Sequence, residues 1–421
     1  MGRRRFLNTV AGLGASAGAV AGMSQSVMAD LIDDPKREVP RVHSYVHTNH
    51  EAVKDGASPE REPIYYKIPR SQWRRVESAH DARKQIEDKL KDRPEPTAVW
   101  VTTNSNDEKQ IEVSVYDSGD IKQSTVRELE DTLPSTVTGV AGRDTMMEDT
   151  VQDIPISVDQ ISINTATPRP QGDEPEYFWH EWDEIPGGSG FVGDIYDGSD
   201  HITDAWWTSC TPVDDNGTTK MVTAGHNITV PPLSGETRLI YGRPPTTGVD
   251  FIPEEEVVDF PIDEPSGPET FDAAILDPAT DTEVTYELAR GNGMTGNDIL
   301  GVVAEDNLKD IEENGTMDGE SFQRQGSRTG TSLGFGIEKL GSEAYVTTLD
   351  EDETDTGDSG GPYHLATSPS EATRLVMPDE IMSYPEPISE IAGVHHGNAS
   401  EHPYTIATSM YRVEEKFGVT I

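Results

Sequence analysis

With one cysteine, Cys210, among 421 residues, the chain has no intrachain disulfide with which to staple itself. Stability must come from a packed core, and the length is ample for one. The lone thiol reads as a small buried side chain. Basic residues are scarce as well: 33 Lys and Arg stand against 77 Asp and Glu, for a formal net charge of -44. That deficit excludes nucleic acid and anionic membranes as partners, because both would repel the chain. Long apolar runs are missing; none reaches the ~18 residues that span a bilayer. The acids are interleaved with Val, Ile, Trp and Tyr, which favours a folded protein with an acidic surface over disorder.

The N-terminus carries an address. "GRRRFLNTVAGLGASAGAVAGMSQSVMAD" has a basic start, a weakly apolar stretch from Thr9 to Met23, and small residues ending at Ala29. Arg3, Arg4, Phe6 and Leu7 resemble the twin-arginine export signal, which is read by a translocase for folded proteins. The expectation is cleavage after Ala29 and an extracellular product. No cysteine stands beside that site, so no lipid anchor is expected there. The acidic surface is the pattern of proteins from extreme halophiles. In molar salt the Debye length falls to about 3 Å, so self-repulsion is screened.

Residues 30–180 read as a small α+β unit. His43, His47 and His50 are spaced to share a helical face, but neither cysteine nor a capping pattern supports a metal site, and the segment reads as solvated. A charged helix is predicted over Ser71 to Asp92, followed by strands at "TAVWVTT" and "IEVSVYD", a helix at "STVRELEDTL" and a strand at "IPISVDQISI". A loop rich in Pro and acids follows, and the domain boundary is placed near Pro175. "HEW" in that loop lacks the second His of a zinc motif. From about residue 181 short β-rich runs alternate with Gly, Pro and Asp turns, as in an all-β barrel or sandwich. Met410, Val413 and Phe417 predict a C-terminal amphipathic helix ended by Gly418.

Three short motifs carry the chemistry. "TDTGDSGGPYH" surrounds Ser359 with glycines, as a turn does, and as a nucleophile approached closely by substrate would require. A serine needs an imidazole to take its proton, and the imidazole needs a carboxylate to fix its tautomer. "KMVTAGHNI" puts His226 past the end of an apolar strand, and "TFDAAILD" puts Asp272 at the start of another.

In this order, "TAGH", "DAAIL" and "GDSGGP" resemble the motifs of the chymotrypsin/trypsin-like serine endopeptidases, over roughly Ile185 to Ile421. The resemblance implies two packed antiparallel β-barrels with a C-terminal helix, preceded here by the α+β unit. It implies His226 as general base and acid, Asp272 as orienting acid and Ser359 as nucleophile, with the N–H groups of Gly357 and Ser359 as oxyanion hole. No metal and no cofactor are implied; the partners are protein or peptide substrates. "QGSRTGTSLG" resembles a strand of the second barrel in microbial members. "IPGGSG" resembles the mature start of zymogen-forming members, where a freed Ile pairs with the acid before the serine, here Asp358. Pro186 and the missing cystine framework argue against that activation.

Glu353 and His395 are the pocket candidates, and they oppose each other. Glu353 sits where trypsin-like members place an acid that selects Lys or Arg. His395, in "GVHHG", resembles the histidine that binds acidic side chains in glutamyl endopeptidases. Acidity is this chain's background, so His395 carries more weight. "DEDETD" lacks the Gly and terminal Glu of a calcium loop. The runner-up enzyme is an α/β-hydrolase esterase, since Gly357 to Gly361 also fits G-x-S-x-G. An inactive protease-like binding module is the third reading. The α+β unit resembles the propeptides of microbial relatives, and is expected to dock on the catalytic part.

Overall fold

A computed structural model of the chain describes residues 37–421, apart from 94–96, 117–122, 144–147, 162, 166–177, 179–181, 183, 198–199, 228–239, 244–250, 259–270, 279–283, 291–293, 350–356 and 400–403. Strands β1 (Glu38–His47) and β2 (Arg61–Pro69) flank a short helix α1 (His50–Lys54). Then come α2 (Arg70–Leu90), β3 (Thr97–Thr103), β4 (Lys109–Tyr116), α3 (Gln123–Thr132), β5 (Thr136–Ala141), β6 (Asp149–Ile161) and β7 (Ile163–Thr165). In α2 the residues Val76, Ala79, Ala82, Ile86 and Leu90 recur at steps of three and four and are all buried. Ala79, Ala82, Ile86 and Leu90 of that stripe pack on Val99, Val101, Ile111 and Val113 of the neighbouring strands.

The strand-rich part follows: β8 (Ile185–Gly187), β9 (Gly190–Asp197), β10 (Asp200–Thr208), β11 (Pro212–Asp215), β12 (Thr218–Thr223), β13 (Ile240–Arg243), β14 (Phe251–Val258) and β15 (Asp272–Pro278). Next are β16 (Val284–Arg290), β17 (Met294–Val303), α4 (Glu305–Asn314), β18 (Glu320–Gly326), β19 (Gly330–Leu340), β20 (Ala344–Leu349), β21 (Pro362–Thr367), α5 (Asp379–Met382), β22 (Ile388–Ala399), β23 (Tyr404–Ser409) and α6 (Met410–Phe417). The C-terminal helix buries Met410 and Val413 and stops at Gly418, whose φ of 72° is left-handed. Among the described residues no helix is long and apolar enough to cross a membrane.

The expected pair of packed antiparallel barrels is not what these strands form. One sheet has 7 strands in the order β10-β9-β13-β14-β15-β12-β11, with β10 and β11 as its edges. The other is a 16-stranded mixed sheet, in which β17 lies parallel to β22 and β4 to β6. Strands from both ends of the chain share it: β1 pairs with β17, β3 with β19 and β7 with β22. Strand alternation in a sequence reports which residues are half-buried but not which edge they join, so the shared sheet was invisible.

Burial of β1 corrects a second expectation. His43, His47 and His50 are buried rather than solvated, and the strand lies between β2 and β17. Most of its charges are matched from the other part of the chain, Glu77 of α2 excepted. Arg41 reaches Asp310 at 3.0 Å, Asp306 at 3.2 Å and Glu77 at 2.6 Å, while Lys109 of β4 reaches Glu312 at 2.6 Å and Glu313 at 2.8 Å. His43 Nε2 lies 2.8 Å from Glu320 and its Nδ1 3.3 Å from Glu390. Burial pulls the imidazole down, but the two carboxylates outweigh it and hold His43 at about 10, so it is a cation.

That cation has a pH signature. Folding raises the pKa of His43 from 6.5 to about 10, so its stabilisation is complete below pH 6.5 and lost as pH rises through about 10. The urea midpoint of the full chain is therefore expected to fall across that window. His43→Gln should lower the midpoint at pH 6.5 and flatten the slope above it. Equal slopes for the two proteins would contradict this account of the ion pairs.

Candidate active site

Strand register brings the imidazole to its carboxylate. β12 runs antiparallel to β15 with Thr223 opposite Ala274, so the chain leaving β12 heads for the start of β15. A single 3-10 turn, Gly225–Asn227, carries His226 there, and Asp272 is the first residue of β15. One carboxylate oxygen of Asp272 accepts the His226 backbone N–H at 2.9 Å; the other lies 2.5 Å from Nδ1. Burial pushes the carboxyl pKa up, but the imidazole beside it and the bonds from His226 more than compensate, so Asp272 is held below its usual range. An ionised carboxylate only accepts, which assigns the proton to Nδ1 and leaves Nε2 as the acceptor.

Ser359 lies in the turn before β21 and is 1% exposed. Its carbonyl is held from two sides: Asn227, next to His226, donates through Nδ2 at 3.0 Å, and Thr208 donates its N–H at 3.0 Å. The Ser359 hydroxyl donates to the His396 carbonyl at 3.1 Å. Gly357 adopts φ 111° and Gly360 φ 91°, which side chains rarely tolerate. Gly360 is also packed so closely that a Cβ would run into the Thr208 carbonyl and the Thr223 hydroxyl. Between them Asp358 points away and pairs with Arg324 at 3.0 Å, both fully buried. It also accepts from the N–H groups of Arg328 and Thr329 at 2.9 and 3.1 Å. Ile185 is buried where β8 pairs with β16. Arg324 thus provides the counter-charge that a freed Ile185 would have supplied.

The turn runs into strand β21, not into a helix, which removes the nucleophile-elbow geometry. His395 is buried, with Nδ1 3.2 Å from the Tyr363 hydroxyl, which in turn lies 2.5 Å from Thr405 Oγ1. Burial, Arg324 and the neighbouring imidazoles depress its pKa well below the usual value, so it is neutral. Glu353 and the "DEDETD" run fall outside the described residues. No group of three or more His, Cys, Asp or Glu among the described residues is placed to hold a metal ion. Sequence reading passed over Asn227, Arg324, Tyr363 and Thr408. Only Asn227 carried a signal, as the residue beside the candidate base.

No protein-family model matches the chain, and no curated protein does. Solved structures do, at a distance. A glutamic-acid-specific serine protease described as using a histidine triad in substrate binding aligns with 56% of this chain and all of its own, at 17% identity and a TM-score of 0.33. Nocardiopsis protease aligns with 56% of this chain and 98% of its own, at 16% identity and a TM-score of 0.34. Thermobifida fusca protease A aligns with 56% and 97%, at 18% identity and a TM-score of 0.32. The likeness to serine proteases is weak and partial. It says nothing of activity, and the functional reading stands on residues instead.

Proposed function

We propose that the chain is a secreted serine endopeptidase. One observation carries the reading: a buried carboxylate, Asp272, holds both the backbone and the ring N–H of His226 while the next residue, Asn227, holds Ser359. On substrate binding the Ser359 hydroxyl turns from the His396 carbonyl to His226 Nε2 and loses its proton there as Oγ attacks the peptide carbonyl. The N–H groups of Gly357 and Ser359 take the oxyanion, a role in which losing one donor typically costs about 10²–10³ in turnover. The imidazolium then protonates the leaving amine. Water repeats the sequence on the acyl-enzyme.

His395 favours an acidic side chain before the scissile bond. In the tautomer in which His395 Nδ1 accepts from the Tyr363 hydroxyl, its Nε2–H is a donor for a carboxylate. Mapping the cleavage sites in an unfolded protein substrate tests the proposal. Cuts after Glu or Asp, blocked by a serine-directed fluorophosphonate, are expected. Hydrolysis of esters alone would turn the reading to an esterase, and no hydrolysis at all to a binding module.

The twin-arginine motif makes export in a folded state part of this reading, and the -44 charge makes high salt its working medium. An enzyme complete before export needs restraint, and residues 30–180 are suited to supply it. β7 lies antiparallel along Gly397 to Ala399, next to the carbonyl that holds Ser359. A strand there occupies an edge that an extended substrate would use. Expressed alone, residues 181–421 are expected to give little folded enzyme, and adding the N-terminal unit should raise the yield or inhibit activity. A catalytic part that folds unaided and ignores the added unit would end the pro-region idea.

A further inference from the structure

The bulge between β22 and β23 falls on one residue. His395 pairs with Ala407 and Gly397 with Ile406, so His396 is the extra residue on its strand. Bulges re-aim a side chain and a peptide group at the expense of ladder hydrogen bonds. Here both are turned toward the site. The His396 carbonyl accepts from the Ser359 hydroxyl at 3.1 Å. The buried His396 imidazole bonds through Nε2 to Thr408 Oγ1. Thr408 Oγ1 in turn brackets Asp272, accepting its N–H at 2.9 Å and donating to its carbonyl at 3.2 Å.

The Thr408 hydroxyl and the His396 ring have one arrangement that satisfies both bonds: Thr408 donates to the Asp272 carbonyl, and His396, in its Nε2–H tautomer, donates to Thr408 Oγ1. A neutral ring suffices, and burial lowers His396 to about 4 in spite of Asp272 nearby. The charge of Asp272 is thereby left for His226.

We infer that His396 is a positioning residue: its peptide oxygen seats the nucleophile, and its imidazole, through Thr408, seats the orienting acid. The inference rests on the proposed roles of Ser359, His226 and Asp272. It makes one bulged residue set the span between the two ends of the site, so that a shift at either end is felt at the other.

The test uses the full chain and two readouts. Thr408→Val keeps the branched shape and removes the hydroxyl, His396→Leu removes the donor, and His396→Gln puts an amide donor back. The first readout is the far-downfield proton resonance of the His226–Asp272 bond, which needs no turnover. In the Val and Leu variants it should shift or vanish. The second is steady-state kinetics on a peptide: kcat should fall roughly 10–100-fold, as for other supporting-shell losses, with KM little changed. His396→Gln should recover most of that loss. An unmoved resonance with a near-normal kcat in Thr408→Val would overturn the inference, and so would a Gln variant no better than Leu. If His396→Leu does not fold, Thr408→Val decides. A wild-type protein that hydrolyses nothing, yet whose resonance responds to Thr408→Val, would keep the seating of Asp272 and remove the proposed function.

Discussion

Ser359→Ala is expected to abolish peptide hydrolysis, with a loss on the order of 10⁶ in kcat, while the protein stays folded. The size follows from the triad acting as a unit: without Oγ there is no acyl-enzyme, and only the oxyanion donors and binding remain. The fold should survive because the hydroxyl makes one hydrogen bond, to the His396 carbonyl. A bond of that kind contributes about 0.5–1.5 kcal/mol net. The seat of the residue is its carbonyl, which alanine keeps. Hydrolysis by purified Ser359→Ala above about a hundredth of wild type would contradict the role of this serine.

Asp272→Asn should cost about 10⁴ in kcat, the size seen when the same change is made in the handed-down serine-protease triad. The cause is the arrangement of its two oxygens. One accepts the backbone N–H of His226 at 2.9 Å and the other lies 2.5 Å from Nδ1. An asparagine can accept from only one of them and must turn its amide protons on the other. With the backbone N–H fixed, the imidazole moves its proton to Nε2, where the base should be. The variant should still melt cooperatively, at a lower temperature, since a buried charge-assisted contact is lost. A kcat within tenfold of wild type would show that His226 does not depend on this carboxylate.

The candidate site was more legible than the fold, and for a physical reason. His226 follows the apolar strand β12, Asp272 opens β15 and Ser359 precedes β21, and such strand ends are visible in one dimension. The sheet is not. β1 carries Arg41, His43 and His47, with His50 just beyond it, which reads as a solvated segment. It is buried between β2 and β17, and several of its counter-charges lie far off in sequence: Arg41 and Asp310 are 269 positions apart, His43 and Glu320 are 277. No local pattern announces a partner at that distance, and the same is true of β3 joining β19.

The helices behaved differently. α2 and α6 bury a stripe that repeats at helical spacing, so both were readable with their ends nearly in place. His396 shows the intermediate case. The pair "HH" was plain in the sequence, but that one ring faces Tyr363 and the other Thr408 depends on a bulge that no composition reveals. Glu353 and the export signal fall outside the described residues, and their roles rest on sequence alone.

In the proposed mechanism His226 activates Ser359 as a nucleophile. Labelling of the full chain with a fluorophosphonate, followed by peptide mapping, tests it most directly. A single adduct on Ser359 in the wild-type protein and loss of rapid labelling in His226→Ala are expected. An unlabelled, well-folded wild-type chain, or labelling that proceeds equally fast without His226, would contradict it.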